Sequence, residues 1–336
     1  MKRNSAFELI RIVAMSLIII HHFIVHCLKK DSFDPIIYDI IYPFFTSGVN
    51  LFFLISGWFT IRFSVRKLLS FIILILFYVI INQILCYSSN NIFSWGEIIK
   101  ILLWPVSRSP YWFLQTYVFL MILAPLINEG VSHLSIRKLR ILMVIFTFGT
   151  IYSCNIGQNR CNIDGYTFMQ GLYMYLVGTY LHKDEQLFQN IKTGTCIIGI
   201  LIFTALGALL PILTDLNAFT FYNSFNTIGA SVLLFLAMSR LKFYNQTVNK
   251  LGIVALGCYL LQDGTFGNDF LYSYLHRLWL NGDSISDLIL FFTLLFFGYW
   301  FVSYLIHPTL KKISDIVSSK LTQLSKSLLI IFHIGF

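Results

Sequence analysis

The fold follows from residues 8–27, ELIRIVAMSLIIIHHFIVHC, an apolar run long enough to cross a bilayer. Two ionisable residues in this run, Arg11 and His22, have ten residues between them. At ~100° and ~1.5 Å per residue, eleven steps come within ~20° of three full turns, so both side chains share one helix face, ~16 Å apart. Glu8 and His26 fall near the same stripe. Because ionisable groups are costly in hydrocarbon, this stripe is predicted to face a protein interior and to be functional.

The composition of the whole chain is that of a membrane protein. Of 336 residues, 57% are hydrophobic, 33 are Phe and only 12% are charged, and the mean hydropathy is +0.74. A soluble domain of this length cannot hide so much apolar surface. The apolar runs are continuous and do not alternate, which indicates helices and not a barrel. We therefore expect an all-α integral membrane protein, a polytopic bundle of about ten transmembrane helices. The expected spans are 7–28, 40–61, 68–88, 111–128, 139–155, 166–181, 193–214, 222–239, 251–271 and 285–307.

The chain is expected to form one membrane domain, residues 1–310, followed by a cytoplasmic tail, residues 311–336. In the tail, apolar residues are separated by Ser, Lys and Gln, which is typical of an amphipathic helix lying on a membrane surface. Lys2 and Arg3 precede the first span, and no small-residue cleavage site follows it. This pattern predicts a signal anchor that is retained.

The distribution of basic residues predicts the orientation. With the N-terminus in the cytoplasm, 17 of the 24 Lys and Arg residues fall on the inner side. This bias favours a multi-pass protein of the cell membrane with both termini cytoplasmic. The net charge of +9 is then a topology signal. Because the cations are scattered over loops and do not form one stripe, they imply no nucleic-acid partner.

The cysteines point to packing and not to metal binding. Cys154 and Cys161 bracket the loop CNIGQNRC, where they either form a disulfide in an oxidising exterior or stay reduced. No CxxC pair or His/Cys cluster occurs, so no metal site is expected. The remaining cysteines lie in or at the ends of spans, where they serve as packing residues: Cys27, Cys86, Cys196 and Cys258.

Three motifs narrow the class of protein: RIVAMSLIIIHH at 11–22, GVNLFFLISGWF at 48–59 and YWFLQTYVFLMILAPLIN at 111–128. A basic loop separates the second from the third. In order and spacing they resemble the membrane-bound acyltransferase 3 family, over residues from about 5 to 310. Each string alone is weak evidence, because apolar sequences match one another easily, but three in order with a charged loop are fairly specific.

The resemblance implies an enzyme that transfers an acyl group, usually acetyl, from cytoplasmic acyl-CoA to a hydroxyl group. The acceptor it implies is a cell-surface polysaccharide or a lipid-linked glycan. In that family an Arg and a His with ten residues between them form the functional signature, which here falls on Arg11 and His22 and not on His21. The family's basic loop is matched by Arg62, Arg66 and Lys67, with the usual Arg-x-x-Arg spacing loosened to Arg-x-x-x-Arg-Lys.

Elementary chemistry gives the matched residues plausible tasks. His22 is the candidate general base, a role worth ~10²- to 10⁴-fold in rate. Arg11 is the second catalytic candidate, because it can contact the donor. The basic loop suits the phosphates of acyl-CoA. The alternatives are an Arg11 that reaches the headgroups or pairs with Glu8, a packing role for His22, and basic residues that only set topology.

Four further residues are candidates for contact with the substrate: Glu8, His26, Trp112 and Asp263. Each has a simpler explanation. Glu8 can serve only as the partner of Arg11, and His26 and Trp112 can be interfacial residues. Asp263 stands in YLLQDG, where it either orients a histidine inside the bundle or lies beyond the span's end in water.

Two other function classes fit the same composition. Ten spans with buried polar residues also suit a glycan exporter or flippase without acyl-transfer activity, although no inverted repeat is visible. The second of these classes is a non-catalytic sensor or scaffold built on the same fold. The sequence does not indicate an oligomeric state.

Overall fold

The computed structural model describes residues 4–28, 34–90, 95–96, 99–100, 111–155, 162, 164–214, 216–264, 266–281 and 285–331. Within these ranges the regular structure is helical, and no strand occurs, which confirms the all-α class. The helices are α1 (Ala6–Phe23), α2 (Pro35–Ile41), α3 (Gly48–Phe59), α4 (Val65–Asn90), α5 (Trp112–Ser132), α6 (Ile136–Asn155), α7 (Phe168–Lys183), α8 (Glu185–Gln189), α9 (Thr193–Thr214), α10 (Phe225–Ser239), α11 (Gln246–Gln262), α12 (Ser273–Leu280) and α13 (Ile285–Ile331). Two π-helical turns, Ile24–Leu28 and Phe266–Tyr272, follow α1 and precede α12.

Seven segments of the described chain are long and apolar enough to cross a membrane, so the expected count of about ten is not confirmed. Helices α7 and α11 have only 16 and 17 residues, and α6 begins with a basic turn that contains Arg137, Lys138 and Arg140. The seven segments are Ala6–Leu28, Pro35–Phe59, Val65–Ser88, Trp112–Ser132, Thr193–Thr214, Ala218–Ser239 and Ser286–Leu324.

Short polar residues begin several helices by capping the free amides of the first turn. Asp34 accepts hydrogen bonds from two backbone N–H groups at the start of α2, where Pro35 occupies the first helical position. Ser224 caps α10 and Asn245 caps α11 in the same way, each through one backbone N–H. These caps fix the residues at which α2, α10 and α11 begin.

The centre of the bundle is formed by α1, which packs against α3, α10 and α11. Helices α3 and α7 approach closely through glycines: a Cβ on Gly57 would collide with the carbonyl of Tyr175, and a Cβ on Gly178 with that of Leu54. Small residues at a crossing allow such contact between helix backbones in a membrane. Gly57 and Gly178 therefore serve the packing of α3 against α7.

Many of the cations meet at one end of the bundle, which we call the basic end and define by Arg62, Lys67, Arg140, Lys183 and Arg240. Their contacts tie the helix connections together there. Lys183 donates to two carbonyls at and just beyond the end of α5, and Arg240 does the same at the end of α8. Arg140 pairs with Asp184, the residue after α7. Asn128 donates to the carbonyl of the residue before Arg62. The other end, which we call the aromatic end, carries Trp112, Tyr166 and Tyr222.

The segment expected to be a separate amphipathic tail is the C-terminal part of α13, as far as Ile331. It packs against the start of α4, where Ser70 donates to the Asp315 carboxylate at 2.5 Å and Lys311 Nζ lies 3.2 Å from the same oxygen. Residues 332–336 lie outside the described residues, as does Cys161 and with it the expected disulfide. Cys27, Cys196 and Cys258 are buried.

Candidate functional site

Two adjoining cavities run along the stripe of α1 that the sequence singled out. The inner cavity, of about 260 Å³, is lined by both Arg11 and His22. The outer cavity, of about 480 Å³, lies at the basic end and is lined by Arg62 and Lys67. The residues that line both are Arg11, Ile55, Ser56 and Tyr117. The stripe therefore faces the protein interior.

Arg11 stands where the two cavities meet and is held there by Glu8. The Glu8 carboxylate is buried and lies 2.5 Å from a guanidinium nitrogen of Arg11. Helix α11 passes so closely that a Cβ on Gly252 would collide with the Glu8 side chain. The ion pair at i,i+3 is thus present, and it orients Arg11 along the cavity wall.

His22 lies beside a carboxylate contributed by another helix. Its Nδ1 is 3.7 Å from Oδ1 of Asp263, and each side chain is 12% exposed. Nδ1 makes no hydrogen bond to a described residue. Helix α11 ends at Gln262, earlier than the expected boundary at residue 271, yet Asp263 is still inside the bundle. The structure therefore places Asp263 inside the bundle beside His22 and not in water beyond it.

Asp263 is positioned by a buried clamp on the last turn of α11. Asn82 Nδ2 donates to the Leu260 carbonyl at 3.1 Å, and the Tyr111 hydroxyl donates to the same oxygen at 2.7 Å. The last carbonyls of a helix have no partner within it, so these bonds replace the missing ones. On the other side of Asp263, Gly264 packs so closely on Asn82 that no side chain would fit.

The two other histidines of the first helical segment occupy different positions. The His26 ring is 5.5 Å from that of His22 and 5.8 Å from that of Tyr272, so it continues the stripe beyond the inner cavity. His21 is buried, and its Nε2 lies 3.2 Å from the Tyr222 hydroxyl. His21 and His22 therefore have different partners, as the ~100° turn between successive residues of a helix leads one to expect.

The three residues of the basic loop separate into two places. Arg62 and Lys67 line the outer cavity with Arg11 and Glu8. Arg66 lines a different depression, beside Lys311, Lys312 and Asp315 of α13.

Trp112 lines the inner cavity at the aromatic end, as part of a cluster of three rings. The centroid of Trp112 is 5.9 Å from that of Tyr222 and 5.0 Å from that of Tyr166, and the two tyrosines are 4.9 Å apart. Asp164 precedes this cluster, and partial burial raises the pKa of its carboxyl. Desolvation and, to a smaller degree, the Asp164 carboxylate raise the pKa of the Tyr166 hydroxyl.

A buried amide network fixes Tyr222 in this position. Its carbonyl accepts hydrogen bonds from Asn50 Nδ2 at 2.9 Å and from Gln170 Nε2 at 3.0 Å, and Gln170 also donates to Asn50. Tyr222, Tyr166 and Asn82 are not among the site residues predicted from the sequence. Polar residues inside apolar runs were the available signal for Asn50, Asn82 and Gln170, but nothing in the sequence shows that they share partners.

Fold and cavities together define a multi-pass membrane protein with an ionisable site enclosed in its helical bundle. A family model described as an acyltransferase domain matches residues 4–308. The chain therefore belongs to the acyltransferase 3 family, as the resemblance of its motifs predicted. No curated protein and no solved structure matches the chain.

Proposed function

We propose that this protein is an O-acyltransferase that moves an acyl group, acetyl in the first instance, from acyl-CoA to a hydroxyl of a cell-surface polysaccharide or lipid-linked glycan. One observation carries the proposal: two adjoining cavities lead from Arg62 and Lys67 at the basic end to His22, which lies beside Asp263. A donor with a phosphate-bearing head and a long thioester arm matches that distribution of charge.

The donor approaches from the basic end, which faces the cytoplasm by the positive-inside rule. Arg62 and Lys67 bind its phosphates, because charged side chains at a cavity mouth form strong hydrogen bonds to phosphate oxygens. The thioester arm passes Arg11 into the inner cavity. Arg66 lines another depression, so we assign it no contact with the donor.

The acceptor hydroxyl meets the thioester beside His22. Since Nδ1 of His22 faces Asp263, Nε2 is the nitrogen that takes the hydroxyl proton. The acceptor oxygen then bonds to the acyl carbon, the carbon–sulfur bond breaks, and the proton passes from His22 to the departing thiolate. The products are the acyl ester and free CoA. Asp263 stabilises the imidazolium that exists between the two proton transfers.

Purified protein in detergent tests this function. With acetyl-CoA and a soluble methyl pyranoside, release of free thiol is measured, and the ester product is identified by mass spectrometry. His22→Ala should lower kcat by at least ~10²-fold, because it removes the base. His133→Ala, at an exposed histidine of the basic end, is the control and should leave kcat unchanged.

Retained elution volume and unfolding temperature in both variants establish that they fold. Full activity of His22→Ala contradicts the assignment of the base. If the wild-type protein makes no ester yet moves a labelled glycan across vesicle membranes, the protein is an exporter and the proposed activity is wrong.

A further inference from the structure

The turn Asp164–Gly165–Tyr166 has an unusual backbone that is fixed against the wall of the inner cavity. Asp164 has φ 55° and Gly165 has φ 80°, the left-handed region that L side chains rarely adopt. A Cβ on Gly165 would lie 2.6 Å from the Cβ of Tyr222 and 2.8 Å from the amide nitrogen of Asn223. The Tyr222 N–H donates to the Asp164 carbonyl at 3.2 Å. Left-handed backbone at a residue other than glycine persists where the surroundings enforce it, often at ligand sites.

This turn places one exposed ring next to two rings of the cavity wall. Tyr166 is 46% exposed, whereas Tyr222 is buried. Tyr166 meets both Trp112 and Tyr222 edge to face, and Trp112 stacks on Tyr222. The three rings therefore form one continuous surface from the outside of the protein to the cavity that contains His22.

Isolated aromatic residues at a membrane interface are explained by their amphipathic rings alone. That explanation requires neither contact with the cavity wall nor a left-handed turn. Here the exposed ring also has a carboxylate nearby, that of Asp164, two residues earlier in the chain. Asp164 makes no ion pair with a described residue, so its oxygens are not taken up by a cation there. An aromatic face beside an acceptor of hydrogen bonds is the combination that suits a sugar ring, whose C–H groups carry partial positive charge and whose hydroxyls donate.

The size of the inner cavity supports an acceptor that stays partly outside. Its volume of about 260 Å³ is below the ~300 to 1,000 Å³ of sites that enclose a whole drug-sized ligand. It therefore has room for the end of a thioester arm and a single hydroxyl, and the body of the acceptor lies at the aromatic end.

We propose that Tyr166, Trp112 and Asp164 form an acceptor subsite that binds the face of a pyranose ring, and that they select cyclic sugars over open-chain polyols. The inference rests on the proposed acyl transfer and adds the residues that recognise the acceptor. The C–H face of the pyranose packs on the rings of Tyr166 and Trp112, and a ring hydroxyl donates to Asp164. A neighbouring hydroxyl then extends into the cavity toward His22.

The experiment compares two acceptors, methyl glucopyranoside and sorbitol, with acetyl-CoA as the donor and purified protein in detergent. The wild-type protein should show a lower KM for the pyranoside. Tyr166→Leu should raise that KM about fivefold, the loss expected for one aromatic contact, and leave the KM for sorbitol and for acetyl-CoA unchanged. Asp164→Asn, which tolerates the left-handed backbone, should also raise the KM for the pyranoside. Tyr152→Leu removes a tyrosine of similar exposure, 49%, from α6 and is the control.

The outcomes separate the two proposals. If esters form but the wild-type KM is equal for both acceptors, or Tyr166→Leu and Tyr152→Leu behave alike, the subsite is wrong and acyl transfer stands. If no acceptor yields ester or free CoA, the proposed function fails and the subsite fails with it.

Discussion

The substitution Asp263→Asn tests the pairing of His22 with a carboxylate from a distant part of the chain. Asparagine has nearly the same shape, so the packing at the end of α11 is preserved and only the charge is removed. In the proposed reaction His22 becomes positively charged after it takes the acceptor proton. The variant should therefore lower kcat and leave the KM for acyl-CoA unchanged, because Asp263 does not line the outer cavity.

The magnitude follows from the distance of 3.7 Å between His22 Nδ1 and Asp263 Oδ1. Coulomb's law gives ~1 kcal/mol for two unit charges at this separation in water and ~4 kcal/mol at an effective dielectric constant of ~20. Since each side chain is only 12% exposed, the second value is the better guide. Each ~1.4 kcal/mol changes a rate tenfold, so kcat should fall by about 10²- to 10³-fold.

The assay measures thiol release at saturating acetyl-CoA and saturating pyranoside, so that binding effects do not enter. Asp184→Asn is the matched control: Asp184 is 14% exposed and pairs with Arg140 at 2.7 Å, but at the basic end and away from both cavities. It should leave kcat within about twofold of wild type, since an ion pair near a surface contributes only ~1 kcal/mol or less to stability and nothing to the reaction. A kcat for Asp263→Asn that equals that of Asp184→Asn would refute the role of the carboxylate.

Two further predictions concern the outer cavity, where the donor is proposed to bind, and the hydrogen bonds of Asn82 at the end of α11. Arg62→Ala should raise the KM for acyl-CoA about tenfold, because a charge-assisted hydrogen bond is lost. Arg66→Ala should leave that KM unchanged. Initial-rate kinetics measure both values, and equal effects would contradict the separate positions of the two arginines. Asn82→Ala removes one of the two donors to the Leu260 carbonyl and should cost ~0.5 to 1.5 kcal/mol of stability. A thermal melt measures that loss of stability. If Asn82 also positions Asp263, kcat should fall while the KM for acyl-CoA stays the same. An unchanged kcat would contradict the positioning role of Asn82.

The part of the site on one helix could be predicted from the sequence, because helix geometry is local. The spacing of Arg11 and His22 fixes their common face, and the approach of Glu8 at i,i+3 follows from the same geometry. The cavity along that face is what the structure adds. Helix periodicity predicts which residues share a face, but it does not predict whether that face packs against another helix, a cavity or lipid.

The contributions of other helices could not be predicted in this way. The sequence left open whether Asp263 lies inside the bundle or beyond the end of its span. Its position depends on the hydrogen bonds that Asn82 and Tyr111 donate to the last turn of α11. Arg66 and Lys67 are adjacent at the start of α4, where one step along the helix turns a side chain by ~100°. Only packing against α13 shows that Arg66 faces away from the outer cavity.

The chemistry of the inner cavity wall limits how its residues can share the reaction. Among its described lining residues, Arg11 and His22 alone carry basic side chains, and most of the others are apolar. A guanidinium stays protonated in proteins and only donates hydrogen bonds, whereas a neutral imidazole can accept a proton. Arg11, where the two cavities meet, is therefore suited to bind donor oxygens, and His22 to deprotonate an alcohol. The proposed division of roles follows from the two side chains themselves, and exchanging them along α1 would place the proposed base at the other end of the cavity.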